Sequence, residues 1–183
     1  MIVKTNQIKI VKLISEDSRD YLKLIRDNKD RLVRYFPLTT KSADSFDTIK
    51  ESVKLIIQKA VEKEVFCFCI RHNELLIGLF FIKSIDWKQL KCEFAYFIDT
   101  NYESKGVTSF VFSKMINFCF DNLKMKKIFL RIDPLNYASI RIAEKKGFKK
   151  IKVVPNDFKI ETGELIDLIH FELMYTNFAS NEF

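Results

Sequence analysis

Three extended, largely apolar segments follow one another at residues 65–71, 75–85 and 90–99, separated only by His72-Asn73-Glu74 and Asp86-Trp87-Lys88. Connections this short cannot carry a parallel crossover, which needs about a dozen residues or more, so the segments must pair as an antiparallel meander. Everything else in the chain has to be arranged around that sheet.

Upstream, residues 8–14 (IKIVKLI) have β-branched strand character and end at Ser15, which can cap the following helix. That helix carries Tyr21, Leu22, Leu24 and Ile25 on its inner side. Residues 31–37 read as a short helix and loop. Ser42 to Asp44 signal a second long helix, with Phe46, Ile49, Val53, Ile56, Ile57 and Ala60 at helical spacing. Downstream of the meander, Gly106 opens a helix in which Ser109, Ser113, Asn117 and Asp121 form a polar stripe. Apolar residues cover most of the remainder, so this helix is expected to be buried on more than one side. Residues 128–132 read as a strand, 137–146 as a helix, and 149–154 and 165–173 as the last strands. Gly147-Phe148 suits a left-handed helix cap with its apolar contact. The order is α+β with a strand–helix–strand unit, in a single domain spanning 1–183.

Lys and Arg number 31 against 24 acidic residues, and the resulting charge of +7 favours an anionic ligand. The basic residues are dispersed rather than gathered in a tract, so a nucleic-acid partner ranks last. No apolar run approaches the ~20 residues of a membrane helix, and the opening MIVKTNQIKIVKL lacks a signal-peptide core. A cytoplasmic protein without a membrane partner is expected. Cys67 and Cys69 would share one side of a strand, while Cys92 and Cys119 lack metal-ligand spacing beside His72 or His170. Buried, reduced thiols and no metal follow.

The start of the Gly106 helix, just after an extended run, offers unpaired N–H groups and a positive dipole end to a phosphate. A simple helix-start glycine is the alternative. Asn136 is either the N-cap of the next helix or a ligand contact, and Ser139 falls in that helix's first turn. Glu93 is either a strand carboxylate engaged in a salt bridge or a general base.

Several pieces occur in order: Asn28-Lys29-Asp30-Arg31-Leu32 with Tyr35-Phe36-Pro37, Ile77-Gly78, and Glu93-Phe94-Ala95-Tyr96-Phe97-Ile98-Asp99. Tyr102-Glu103-Ser104-Lys105-Gly106, then Asn136 and Ser139-Ile140-Arg141 with Lys146-Gly147-Phe148, complete the set. In that combination, residues 8–151 resemble the GNAT N-acetyltransferase superfamily, specifically its ribosomal-protein serine/alanine N-terminal acetyltransferase branch. The resemblance implies a mixed, mostly antiparallel sheet flanked by helices and splayed between its fourth and fifth strands, with acetyl-coenzyme A in the gap. It implies backbone contacts from Phe97 and Ile98 to the pantetheine and acetyl group. Lys105, Gly106, Val107, Thr108 and Ser109 would wrap the pyrophosphate, and Asn136 and Ser139 would lie near the sulfur. Arg31, Arg34 and Tyr35 would line the acceptor side, with Asn156-Asp157-Phe158-Lys159 closing over it.

The implied reaction is direct acetyl transfer to an amine. Glu93 would act as base directly or through water, a backbone N–H near Phe97 or Ile98 would hold the oxyanion, and Ser139 would help protonate the thiolate. A protein or peptide α-amine is the easiest acceptor to deprotonate; polyamines, antibiotics and other small amines remain open. The chain is expected to be a monomer or homodimer. It departs from the family at Glu103, where Gln or Arg is usual, at Thr108, where Gly or Ala is usual, and at Ala143, where many members carry a tyrosine acid. These departures keep open a coenzyme-binding module without catalysis.

Overall fold

The protein is described here by a computed structural model covering residues 3–176. Among these residues one sheet runs through the molecule. Its strands are β1 (Ile8–Lys12), β2 (Phe66–His72), β3 (Leu75–Asp86), β4 (Lys91–Ile98), β5 (Lys127–Ile132), β6 (Lys149–Lys159) and β7 (Leu165–Met174). They lie in the order β1-β2-β3-β4-β5-β7-β6, and every neighbouring pair is antiparallel except β4 and β5. The expected meander is β2–β3–β4.

Helices α1 (Ser18–Asp27), α2 (Lys29–Tyr35), α3 (Pro37–Ser42) and α4 (Phe46–Val61) fall between β1 and β2. Their Tyr21, Leu24, Ile25, Leu32, Ile49 and Val53 pack with Cys67, Cys69, Leu79, Phe81 and Phe97. Helix α5 (Val107–Asn117), which runs on into a π turn at Phe118–Asn122, and helix α6 (Tyr137–Lys145) belong to the other core. There Val111, Phe112, Met115, Ile116 and Ala143 meet Phe68, Phe80, Ile82 and Phe94. Strand β3 is apolar almost throughout because alternate residues enter different cores, Leu79 and Phe81 one, Phe80 and Ile82 the other.

The parallel pair is short. Strands β4 and β5 align at Lys91↔Lys127, Cys92↔Ile128 and Glu93↔Phe129, and no further. Beyond that point β4 stays on β3 as far as Ile98, and β5 stays on β7 as far as Ile132. The two strands therefore part, which is the expected splay between the fourth and fifth strands.

Some local expectations are corrected. Ser15 does not cap the first helix: Ser15–Asp17 form a 3-10 turn, and the Asp17 carboxylate accepts from the Ile14 N–H at 2.9 Å. Asp17 is fixed there because Arg71 holds its other oxygen. The second long helix is capped by Ser45, whose Oγ accepts from Thr48 N at 3.1 Å, one residue beyond the expected start signal. Residues 31–37 are nearly all helical, because Pro37 sits at the first position of α3, where its missing N–H leaves no gap. Residues 156–159 are not a loop. Strand β6 continues through them after a bulge, its register passing from Val154↔Leu168 to Phe158↔Ile166. Pro155 lacks the N–H that regular pairing needs, and Asn156 takes the bend at φ 54 with its N–H on Asp167. The Gly147 cap is as expected: φ is 80, and Phe148 N reaches Ala143 O at 3.0 Å.

Gly78 lets β3 lie flat against the part of β4 that borders the split. A Cβ there would stand 2.7 Å from the Phe97 carbonyl oxygen and 3.2 Å from Ile98 Cα. Gly78→Ala should lower stability by about 1–3 kcal/mol, the usual cost of overpacking, as measured by chemical denaturation. An unchanged midpoint would show that β4 can shift without strain.

Candidate active site

Where β4 and β5 part, a cavity of about 140 Å³ opens. Its lining comes from both sides of the sheet. Tyr35, Phe36, Lys83, Glu93 and Arg131 stand on the side of α1–α4, while Tyr96, Asn136 and Ser139 stand on the side of α5 and α6. The gap is thus a passage joining two half-sites.

Glu93 lies at the root of the gap and is only 3% exposed. Arg131 straddles it, Nε to Oε1 at 3.1 Å and Nη2 to Oε2 at 3.3 Å. Ser84 Oγ donates to Oε2 at 2.9 Å, and Lys83 Nζ stands 3.4 Å from Oε1. Arg131 also reaches Asp157 at 3.8 Å, and Asp157 meets His170 Nε2 at 2.7 Å. One line of polar contacts therefore crosses β3, β4, β5, β6 and β7. The spacing of two on parallel strands produces it: Glu93 pairs with Phe129, and Arg131 is the next residue on that face.

At the far end of β5, Asp133 is 4% exposed and is held by Arg34, with Nε and Nη2 each 2.9 Å from Oδ2. Its Oδ1 accepts from Leu135 N at 2.8 Å. Tyr35 borders the cavity, and burial together with the Asp133 charge pushes its hydroxyl above the ordinary tyrosine range. Of the residues expected on the acceptor side, Tyr35 faces the cavity and Arg34 anchors Asp133 beside it. Arg31 goes elsewhere: it binds the Ile98 carbonyl, Asn28 Oδ1 and Glu103.

That triple contact places Arg31 at the Ile98 end of β4. Glu103 turns toward Arg31 in an ion pair. Asn28, buried at 5% exposure, ties the same corner together through Leu24 O, Asp99 and Thr100 N. Gly106 has φ 81, and nothing lies within 4 Å of where its Cβ would be. It is the N-cap of α5 and offers no side-chain acceptor, and the first turn has no acidic residue. The first intrahelical bond is Phe110 N to Gly106 O, which leaves the Val107, Thr108 and Ser109 amides for an anion. Helices α4 and α6, by contrast, carry side-chain caps from Ser45 and Asn136. The Lys105 ammonium folds back on Asn101 O and the Tyr102 ring.

On the adjoining strand end, Asp99 N bonds to Ile77 O at 2.7 Å, across β3. Backbone groups alternate along a strand, so Phe97 also turns its N–H and carbonyl to β3, while Tyr96 and Ile98 turn theirs to the gap. Of the two expected backbone contacts, the geometry brings Ile98 to the site and directs Phe97 away from it. Asn136 caps α6, its Oδ1 accepting from Ser139 N at 3.1 Å, and it also borders the cavity. Ser139 receives a hydrogen bond from the Tyr96 hydroxyl at 3.0 Å.

Tyr96, Arg131, Lys83 and Asp133 went unmarked as site residues in the sequence. Tyr96 had a usable signal: the two-residue alternation of β4 puts it on the opposite face from Glu93, toward the helix that bears Ser139. Among the described residues no group of His, Cys, Asp and Glu could hold a metal ion, and no helix is long and apolar enough to cross a membrane.

A sheet parted between two parallel strands, with an uncapped glycine-led helix start at its edge, leaves a strand edge and a set of amides open to an extended, anion-bearing ligand. The family described as acetyltransferase (GNAT) domain matches residues 7–149, so the chain belongs to that family and is an acyltransferase that uses acetyl-coenzyme A. It is 27% identical over 150 residues to the probable N-acetyltransferase YjcK of Bacillus subtilis, covering 79% of this chain and 81% of that one. A ribosomal L7/L12 α-N-protein acetyltransferase in complex with coenzyme A superposes with TM-score 0.86 at 14% identity, covering 94% of this chain and 96% of the other. A spermidine N-acetyltransferase of Vibrio cholerae superposes with TM-score 0.79 at 20% identity, covering 98% and 100%. The fold is therefore shared by enzymes with different acceptors.

Because Arg31 neutralises Glu103, Glu103→Gln should change the acetyl-coenzyme A dissociation constant by less than about threefold at moderate salt. Arg31→Ala removes the neutralising charge and the Ile98 contact together, and should weaken binding by roughly tenfold, about 1.4 kcal/mol. Calorimetric titration measures both. A large gain from Glu103→Gln would mean that its carboxylate repels the phosphates.

Proposed function

We propose that the chain transfers the acetyl group of acetyl-coenzyme A to a single α-amine at a protein or peptide N-terminus. The observation that carries this reading is the charge closure of the cavity. Its lining includes two carboxylates, Glu93 and Asp133, and each is already matched, by Arg131 with Lys83 and by Arg34. A polyamine would bring further ammonium groups to a cavity with no unmatched carboxylate to receive them, and burying an unpaired charge is costly. A lone amine that enters neutral has no such need. An α-amine, with a reference pKa of about 7.7–8.0, is also cheaper to deprotonate than a lysine at about 10.4, by roughly 3–4 kcal/mol.

The residues present fit the coenzyme. The Val107, Thr108 and Ser109 amides would hold its phosphates, with open space over Gly106. The Ile98 edge would hold the arm that runs into the gap. When bound, acetyl-coenzyme A supplies the activated acyl group. The gap-facing backbone N–H of Ile98 stabilises charge that develops on the carbonyl oxygen. Glu93 acts on the amine through a water, because its two oxygens already accept from Ser84 and Arg131. Tyr35 and Phe36 shape the entry on the acceptor side, with Phe158 and Leu168 opposite.

Thiol release with a panel of amines tests the acceptor. Peptides with free Ser or Ala termini should react, while spermidine and end-blocked lysine peptides should not. Reaction of spermidine alone would overturn the α-amine reading. The donor site has its own test. Gly106→Asn should retain most acetyl-coenzyme A affinity, since Asn tolerates positive φ, whereas Gly106→Asp should lose roughly tenfold or more because it adds a charge beside the phosphates. Equal affinities by calorimetry would move the phosphates away from this turn.

A further inference from the structure

Two hydroxyls in the gap are engaged with each other rather than with the rest of the protein. Tyr96 Oη donates to Ser139 Oγ at 3.0 Å, and both residues line the cavity. The tyrosine ring is fixed: it stacks on Phe80 at 5.9 Å between centroids and meets Phe112 edge-on at 4.6 Å. The serine is fixed from its own side, through the bond from its amide to Asn136 Oδ1. A hydroxyl whose oxygen already accepts a hydrogen bond keeps its proton for another partner, and a chain of such bonds strengthens the last donor. The open direction at Ser139 is the cavity.

We infer that Tyr96 is a positioning residue for acyl transfer, presenting the Ser139 hydroxyl proton to the sulfur that departs as the amine is acylated. This rests on the acetyl-coenzyme A reading above. In the step, the amine nitrogen forms the bond to the acyl carbon and the carbon–sulfur bond breaks, its electron pair remaining on sulfur. Ser139 gives that sulfur a proton while Tyr96 holds its oxygen. The proton released by the amine passes through water to Glu93 and on to solvent, from which Ser139 is refilled, so an amine and a thioester become an amide and a thiol. Burial pushes the Tyr96 hydroxyl up to about 12, which keeps it protonated and donating at working pH.

The experiment titrates the thiol of bound coenzyme A by its thiolate absorbance, so it requires no acceptor. Hydrogen bonds to the charged form lower a pKa, so the bound thiol should titrate below free coenzyme A in the native protein. Tyr96→Phe keeps the ring and its packing, and should raise the bound-thiol pKa by about one unit, a tenfold change in thiolate fraction. Ser139→Ala should do the same, and the double variant should go no further, because the two groups act in series. A tyrosine that only packs would change melting temperature or coenzyme affinity and leave the titration alone. Native titration behaviour in Tyr96→Phe with coenzyme still bound overturns the role of Tyr96. Failure of the native protein to bind coenzyme A in a parallel calorimetric run overturns the donor reading on which it rests.

Discussion

Two parallel strands that pair for three residues and then separate determine what this molecule can do. Backbone groups freed where β4 leaves β5 must find partners, since buried unpaired amides and carbonyls are costly. The protein satisfies some of them itself: Arg31 takes the Ile98 carbonyl from the far side of the sheet. The remaining gap-facing edge is left for a ligand. The root of the split is held by Glu93, a buried carboxylate whose charge is tolerable only because Arg131, Lys83 and Ser84 surround it. Removing Arg131 would take two of its hydrogen bonds at once, so the root of the split is under strong constraint.

From that point the two sides diverge in chemistry. On the side of α1–α4 the cavity is walled by charges that cancel and by the Tyr35 and Phe36 rings. On the side of α5 and α6 it is walled by uncharged hydrogen-bonding groups, Tyr96, Ser139 and Asn136. The helix starts differ in the same sense. Helix α6 closes its own N-terminus with Asn136, which fixes Ser139, whereas α5 begins with a glycine that offers no cap. A capped start makes a rigid platform, and an uncapped one keeps its amides for an anion.

Local pattern made much of this legible. Short connections dictated the meander, and an apolar period of 3.6 marked the helices. Gly147 stands at positive φ, as its cap position implied. Contacts between distant segments were not legible, because nothing in a single strand or helix names its partner. Arg34 and Asp133 lie 99 residues apart, Arg31 and Glu103 lie 72 apart, and Tyr96 and Ser139 lie 43 apart. Arg31 and Arg34 were expected on the acceptor side from their motif, yet the motif did not reveal that both are committed to protein acceptors. The bulge in β6 was not legible: the expected strand ended at residue 154, and only the register with β7 shows that it resumes.

The same long-range contacts bear on the departures that favoured a coenzyme-binding module without catalysis. Glu103 would oppose a pyrophosphate if it stood alone, but it faces Arg31, so the corner carries no net charge from the pair. Thr108 lies in the first turn of α5, where a β-branched side chain leaves the backbone amides available to an anion. Ala143 is fully buried between α6 and the core, and its carbonyl receives the Phe148 amide that closes the helix. A bulky polar side chain could not enter that position without opening the cap, so a hydroxyl for the gap has to come from a residue whose side chain already reaches it. On β4 the alternation that sends Glu93 to one half-site sends Tyr96 to the other, and a single strand thereby equips both.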